Sequence, residues 1–533
     1  MPMNPKPLTS LRSPLTGDVI LGGGVCGCLL ARQLLHLTAR PVCLIEAGGA
    51  QNENTSDRLQ PARWLHLLGS SDDDAHVTMP NDALAGRRMR WPRGRGLGGS
   101  GRINAMIWLP PHESDFQMLA PAGLNPEAMQ TAWKTAQQRI AIESPRYLSD
   151  VAQRFLDTVN GHSDLGVFAA HQRINVNSRR WTTDQLLTDL AQSDPDAFSR
   201  LSCVHATVET LHVTDGRVDR VTLRDASDQQ TLTLASDARV IGCLGALATP
   251  ALLMRSGIGD AETLDRAGVH VRVHSPNVGR NLHDHLIMPV VYSRQEPAFL
   301  PGDPTADHLS KWEQSASGPL ASNIAECGGF DPEAKFQMHV TPTDYLRYPS
   351  PKAGSAMTLG VQLTRPGSRG WLEIDGRENN SPKTRLHPII HSNYLSDPSD
   401  VLELLIGIEW ARRIGGILFE AGCHQGERIP GPRRTEASAL LASIARYAQT
   451  LYHPGGTCAI GTNPHNAVTD PEFNVFGVDG LSIVDASLLP QPAVGNPTAT
   501  LAMLTCYAAE RLAQSSARQA EWSGTVKNSG WPL

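Results

Sequence analysis

The clearest hydrophobic patterning lies near the start of the chain. Asp18-Val19-Ile20-Leu21 is a short, nearly all-apolar run. A glycine turn follows, Gly22-Gly23-Gly24-Val25-Cys26-Gly27, and then an amphipathic stretch, Cys28-Leu29-Leu30-Ala31-Arg32-Gln33-Leu34-Leu35. A second apolar run, Val42-Cys43-Leu44-Ile45, ends at Glu46-Ala47. Strand, turn, helix, strand is the predicted order. Residues 51–90 are polar and mixed and read as a solvated loop. Residues 112–200 read as largely helical and polar, with Trp133 and Trp181 as packing anchors. Strand-like alternation returns at 204–213 and 218–234, and 238–243 reads as a buried strand. It leads into a helix ending near Ser256-Gly257, with Thr249 as its cap and Pro250 in its first turn. From 286 to 440 the pattern changes: short strands at 336–340, 357–363 and 371–374 alternate with proline-rich loops, and 402–414 reads as a helix. Residues 497–512 have helix character with Pro497 in the first turn, and the tail beyond loses periodicity, as a disordered segment or contact arm would. No internal repeat is visible.

The chain has 533 residues, too many for one compact core, so two lobes or more are expected. With 40% hydrophobic and 19% charged residues and a net charge of −6, it is neither a basic nucleic-acid binder nor a disordered chain. No run of about 18 apolar residues predicts a membrane span. The first 17 residues lack the apolar core of a signal peptide, so a cytoplasmic location is expected. The nine cysteines, mostly in apolar surroundings, read as reduced and buried.

Gly22, Gly24 and Gly27 fit G-x-G-x-x-G, and Glu46 follows about 20 residues on. The first glycine permits the tight turn, the second lets backbone approach a pyrophosphate, and the third lets helix and strand pack. The helix N-terminus offers unpaired N–H groups to phosphates, and the carboxylate suits a ribose hydroxyl. The motif predicts dinucleotide binding without separating FAD from NAD. A second glycine-rich stretch, from Trp91-Pro92-Arg93-Gly94-Arg95 through Gly98-Gly99-Ser100-Gly101-Arg102 to Ile107-Trp108, suggests backbone lying on a ligand. His283-Asp284-His285 resembles a metal cluster but has no distant acidic partner, so packing is the preferred reading and no metal is expected.

Four blocks together resemble the glucose–methanol–choline flavoprotein oxidoreductases: Gly22 to Gly27 with Glu46; Gly94 to Asn104; Gly245 to Gly259; and a C-terminal set. That set comprises Tyr452-His453-Pro454-Gly455-Gly456-Thr457-Cys458, Val478-Asp479-Gly480-Leu481, Val484-Asp485-Ala486-Ser487 and Gly495-Asn496-Pro497-Thr498. The resemblance implies FAD and an α/β (α+β) fold. A Rossmann-like FAD-binding domain at 15–150, 199–285 and 440–515 would be interleaved with a substrate-binding domain at 151–198 and 286–439, built on a mostly antiparallel sheet. A tail would cover 516–533. His453 falls where the family keeps its active-site histidine, and Asn496 where it keeps a second His or Asn; read alone, Asn496 is a helix N-cap. A histidine suits removal of a hydroxyl proton, and an asparagine can hold the alkoxide without competing for that proton. By the same resemblance and the motif reading, the cofactor-binding positions are Gly22, Gly24, Val25, Cys26, Gly27, Glu46, Ala47, Arg95, Gly98, Gly99, Ser100, Asn104, Ala105, Met106, Ile107, Val208, Asp485, Ala486, Asn496, Pro497 and Thr498.

There are departures from the family pattern. Ile103 stands where some relatives attach FAD covalently through histidine, so non-covalent binding is expected. Gly101 replaces a serine, and the sequence offers no role for the bulky Arg102 after it. Residues 110–116 replace a tryptophan-rich stretch near the expected substrate entrance. The leading expectation is oxidation of an alcohol to an aldehyde or ketone, with oxygen or another acceptor. Met106, Ile107 and Trp108 suggest a fairly apolar small-molecule substrate. The alternatives are a hydroxynitrile-lyase-like enzyme, a photodecarboxylase, or a tailoring enzyme of secondary metabolism.

Overall fold

The computed structural model describes residues 5–48, 55–295, 304–347, 354–375 and 388–528. The apolar runs near the N-terminus lie at the centre of a six-stranded sheet. Its order is Lys6–Pro7, Leu201–His205, Val42–Glu46, Asp18–Leu21, Arg239–Gly242 and Leu481–Ile483, every neighbouring pair parallel. All residues of Asp18–Leu21 and Val42–Glu46 are buried. Cover on both faces explains why neither strand alternates in sequence. Asp18, inside this sheet, is held by Arg239 at 2.9 Å and Arg40 at 3.3 Å. Helix α1 (Val25–Leu37) follows the glycine turn. A Cβ on Gly27 would stand 1.9 Å from the Gly22 carbonyl oxygen, so helix and strand meet only without a side chain there. Strand order reverses at Asp18–Leu21. In doubly wound sheets that reversal opens a crevice at the carboxyl ends of the strands.

Three expectations need correction. The run 204–213 is divided: Leu201–His205 belongs to the parallel sheet, and Thr207–Thr214 starts an antiparallel one with Arg217–Arg224 and Gln229–Thr233. The run 218–234 is thus two strands, separated where Asp225 Oδ1 accepts the N–H groups of Ser227 and Asp228. Helix α2 (Gly245–Arg255) starts earlier than its expected cap and carries Pro250 in its interior. Proline has no N–H to give the Ala246 carbonyl, and Thr457 Oγ1 donates to that carbonyl instead, at 2.6 Å.

The second sheet is antiparallel. Its order is Gly426–Ile429, Leu286–Ser293, Ala356–Leu363, Phe336–Thr341, Cys327–Phe330 and Val167–Ala170, with Gln449–Thr450 also beside Leu286–Ser293. The strand expected at 371–374 forms, but pairs with Pro388–His391 as a separate ribbon. Helix α3 (Pro398–Glu420) packs on the sheet and outruns the expected 402–414. Asp397 caps it, and Gly415 does not stop it because the Tyr292 ring fills its side: a Cβ there would be 2.1 Å from Tyr292 Oη. Helix α4 (Thr498–Asn528) continues into the segment read as a loose tail. Pro497 precedes α4 rather than opening its first turn, and its carbonyl accepts from Leu501 N–H at 2.8 Å. Between 112 and 200 the helices are interrupted by short strands such as Val167–Ala170 and Gln172–Arg173. Among the described residues no helix is long and apolar enough to cross a membrane. All nine cysteines are buried and unpaired.

Candidate active site

A cavity of about 500 Å³ lies where the carboxyl ends of the parallel strands face the antiparallel sheet. At one end its wall is mostly main chain. Gly22, Gly24, Val25 and Cys26 line it, and no side chain caps the start of α1, so that helix end faces the cavity with its N–H groups. A Cβ on Gly24 would meet only Gly99 Cα, at 3.9 Å: the protein leaves that space open. Glu46 also lines the cavity. Its carboxylate accepts N–H bonds from Gly23, Gly48 and Gly96 at 2.8, 2.8 and 2.9 Å. A carboxylate can accept about four bonds, so capacity is left for a ribose hydroxyl. An open glycine cradle, an uncapped helix end and a fixed carboxylate fit a dinucleotide.

Most of the positions expected to touch the cofactor line this one cavity: Ala47, Arg95, Gly99, Ser100, Asn104, Ala105, Met106, Ile107, Val208, Asp485, Ala486, Pro497 and Thr498 join those above. Gly27 and Gly98 do not. Gly27 serves helix packing, and Gly98, at φ +91°, packs against Thr182, Asp184 and Arg102. Asp485 faces the cavity with its oxygens already committed to Gly245 N–H, Thr249 Oγ1 and Ser487. Arg102 points away from the cavity and is paired with Asp72 at 2.9 Å, which explains the charge. Trp108 is not in the wall either; it stacks on Trp133. Residues 110–116 lie outside the lining too, but Asp115 holds the Val494 N–H at 2.9 Å and so braces the loop before Asn496.

At the other end the wall is side chain. His453 Nε2 and Asn496 Nδ2 lie 3.3 Å apart. His285 Nε2 is 3.0 Å from the Thr364 carbonyl, which can only accept, so this nitrogen carries a proton. Burial holds His285 neutral, with its pKa lowered to about 4, so its Nδ1 is an acceptor. His453 Nδ1, 2.9 Å away, must then be the donor. That leaves the His453 Nε2 lone pair facing Asn496 and the cavity. Burial, reinforced by His285, His339 and Arg93, pushes the His453 pKa well below 6.5, so the ring is neutral at neutral pH. Asn496 is fixed from its other side: its Oδ1 accepts from Gln337 Nε2 at 3.3 Å, and Gln337 Oε1 accepts from Gln362 Nε2 at 2.7 Å. Every donor in the chain Gln362, Gln337, Asn496, His453, His285 points the same way. Asn496 thus acts on His453 rather than as a helix cap.

The sequence reading missed most of these supports. His283-Asp284-His285 is more than packing: Asp284 Oδ1 accepts the backbone N–H of His453 at 2.6 Å, and its other oxygen takes the hydroxyls of Thr450 and Tyr394. Two histidines flanking an aspartate ahead of an apolar strand was the available signal. Among the described residues no group of three His, Cys, Asp or Glu side chains is placed to hold a metal ion. Gln337 and Gln362 gave no signal: each is one of several polar residues in a short buried strand, beside His339 and Thr341 in one and Thr358 in the other.

A sequence profile described as GMC oxidoreductase matches residues 17–287 in its N-terminal part and 366–505 in its C-terminal part. The chain belongs to the GMC oxidoreductase family. It is similar to an alcohol dehydrogenase (acceptor) of Pseudomonas putida, 31% identical over 92% of this chain and 94% of that one. It is also similar to an oxygen-dependent choline dehydrogenase of Escherichia coli O127:H6, 28% identical over 97% of this chain and 98% of the relative. Among solved structures, pyridoxine 4-oxidase from Mesorbium loti superposes with a TM-score of 0.81 at 27% identity, covering 93% of this chain and 99% of that one. As a GMC oxidoreductase the protein is an FAD-dependent enzyme acting on CH–OH groups.

Proposed function

We propose that the protein oxidises a small-molecule alcohol to its aldehyde or ketone, with His453 as the base and Asn496 as the oxygen-holding group. The observation that carries this reading is the one-directional hydrogen-bond chain, which leaves an unprotonated His453 Nε2 beside an amide N–H at the cavity wall. A substrate hydroxyl placed there gives its proton to Nε2. The second N–H of Asn496 holds the oxygen as negative charge develops on it. Bound FAD supplies the hydride acceptor. The N–H groups at the start of α1 would hold its pyrophosphate, Glu46 the ribose, and Val208 the adenine. Ala105 to Ile107, Asp485-Ala486 and Pro497-Thr498 would surround the ring system. Ile103 offers no nucleophile, so the attachment is non-covalent, and acid precipitation should leave the flavin in the supernatant. The names of the relatives, an alcohol dehydrogenase, a choline dehydrogenase and a pyridoxine oxidase, support alcohol chemistry.

The test is an anaerobic titration of the purified holoenzyme with primary, secondary and aromatic alcohols, followed by visible absorbance. Bleaching by one class supports the reading, and readmitting air then separates oxygen from other acceptors. A bound flavin that no alcohol bleaches would overturn it and favour the lyase, the photodecarboxylase or the tailoring enzyme.

A further inference from the structure

The antiparallel sheet presents one polar side chain to the cavity that nothing in the protein uses. His339 lies on Phe336–Thr341, is 4% exposed, and lines the cavity near His453. Neither of its ring nitrogens has a hydrogen-bond partner. Leaving a buried polar group unpaired is costly, so such groups are rare in native proteins and call for a reason. Its neighbours do not supply one. On either side in the sheet His339 pairs with a glycine, Gly360 on one strand and Gly328 on the other; Ile287 fills the space beside Gly360 and the His171 ring that beside Gly328, 5.4 Å from the His339 ring, and neither bonds its nitrogens.

The other polar groups on this face are already engaged. Thr341 and Thr358 both donate to the Thr343 carbonyl, and Tyr345 and Tyr452 bond to each other. Free negative charge is absent as well; the charged lining residues on the other side of the balance are the cations Arg93, Arg95 and Arg255. Among the described lining residues the carboxylates are Glu46, Asp74 and Asp485. Glu46 is bound by three backbone amides, Asp74 pairs with Arg95, and Asp485 holds Gly245, Thr249 and Ser487. None of them stands on the sheet that carries His339. A cationic substrate would find no counter-charge there. Burial and the adjacent His171 keep His339 neutral, so it offers one donor and one acceptor.

We propose that His339 is a second substrate contact, and that the substrate is a non-cationic alcohol bearing a further hydrogen-bonding group, a hydroxyl, carbonyl or ring nitrogen, which this ring receives. The proposal rests on the alcohol-oxidation reading above and narrows its substrate class.

The probes are hexanol against the hexanediols, benzyl alcohol against the ortho, meta and para hydroxybenzyl alcohols, and choline as the cationic control. Each is titrated anaerobically into wild type, His339→Phe and His339→Gln, all checked for an unchanged flavin band. In wild type, at least one doubly substituted probe should bind about tenfold tighter than its parent, roughly what one buried hydrogen bond gives. His339→Phe should erase that advantage, so that in the variant the doubly substituted probe binds no tighter than its parent. His339→Gln, which restores a donor and an acceptor, should recover part of it. A preference that survives in His339→Phe, or no preference in wild type, overturns the subsite while alcohol oxidation stands. Choline acting as well as the neutral probes overturns the exclusion of cations. No bleaching by any alcohol overturns the underlying reading, and the subsite with it.

Discussion

Around Glu46 the cavity wall is main chain: glycine turns, an uncapped helix end, and a carboxylate held by three backbone amides. Around His453 it is side chain: five residues from five separate segments of the chain, joined by hydrogen bonds. The first end recognises a group common to many dinucleotides, and backbone N–H groups suffice for that. The second must keep one ring nitrogen unprotonated, and only a fixed order of donors and acceptors does so. A change at the first end should therefore cost cofactor, and a change at the second should cost rate.

The largest effect expected is at the glycine turn. Gly24→Val should fold, because the protein leaves room there, but should purify without its flavin band. Gly27→Ala should instead lose soluble protein, since its Cβ would collide with Gly22. A yellow Gly24→Val protein would erase the distinction between the two glycines. Next, His453→Ala should keep FAD and slow anaerobic flavin reduction by about 10²–10⁴-fold, the usual worth of general-base help. An unchanged rate would remove His453 from the mechanism. Smaller is Gln337→Leu, which frees Asn496 Oδ1 from its anchor. Reduction should fall about tenfold with an unchanged flavin spectrum, and Gln337→Glu should not mimic wild type, because a carboxylate cannot donate. The smallest effect is with pH. Protonation silences His453, and burial holds its pKa well below 6.5, so the reduction rate should stay level from neutral pH down through 6.5 and fall only at lower pH. A rate that already falls above 6.5 would mean the ring is not held neutral.

The same contrast decides what the sequence revealed. The βαβ unit at 18–46 was legible because its spacing is local and its strands are buried on both faces. The antiparallel strands at 336–341 and 356–363 were also expected, as short strands at 336–340 and 357–363, but their register was not legible. It is register that sets Gly360 and Gly328 beside His339. Helix ends misled where a tertiary contact replaced a local rule: Thr457 satisfies the carbonyl that Pro250 leaves open, and the Tyr292 ring fills the side of Gly415. His453 and Asn496 were found through family resemblance. Their supports at 284–285, 337 and 362 become visible only when the two sheets are brought together.

The central claim is that this site removes a hydride from the carbon of an alcohol while His453 takes the hydroxyl proton. Anaerobic rapid mixing of the holoenzyme with an alcohol, protiated or deuterated at the carbinol carbon, tests it most directly. The account predicts that the flavin band bleaches with both and more slowly with the deuterated alcohol. Equal rates under conditions where bond breaking limits bleaching, or a bound flavin that neither alcohol bleaches, would contradict it.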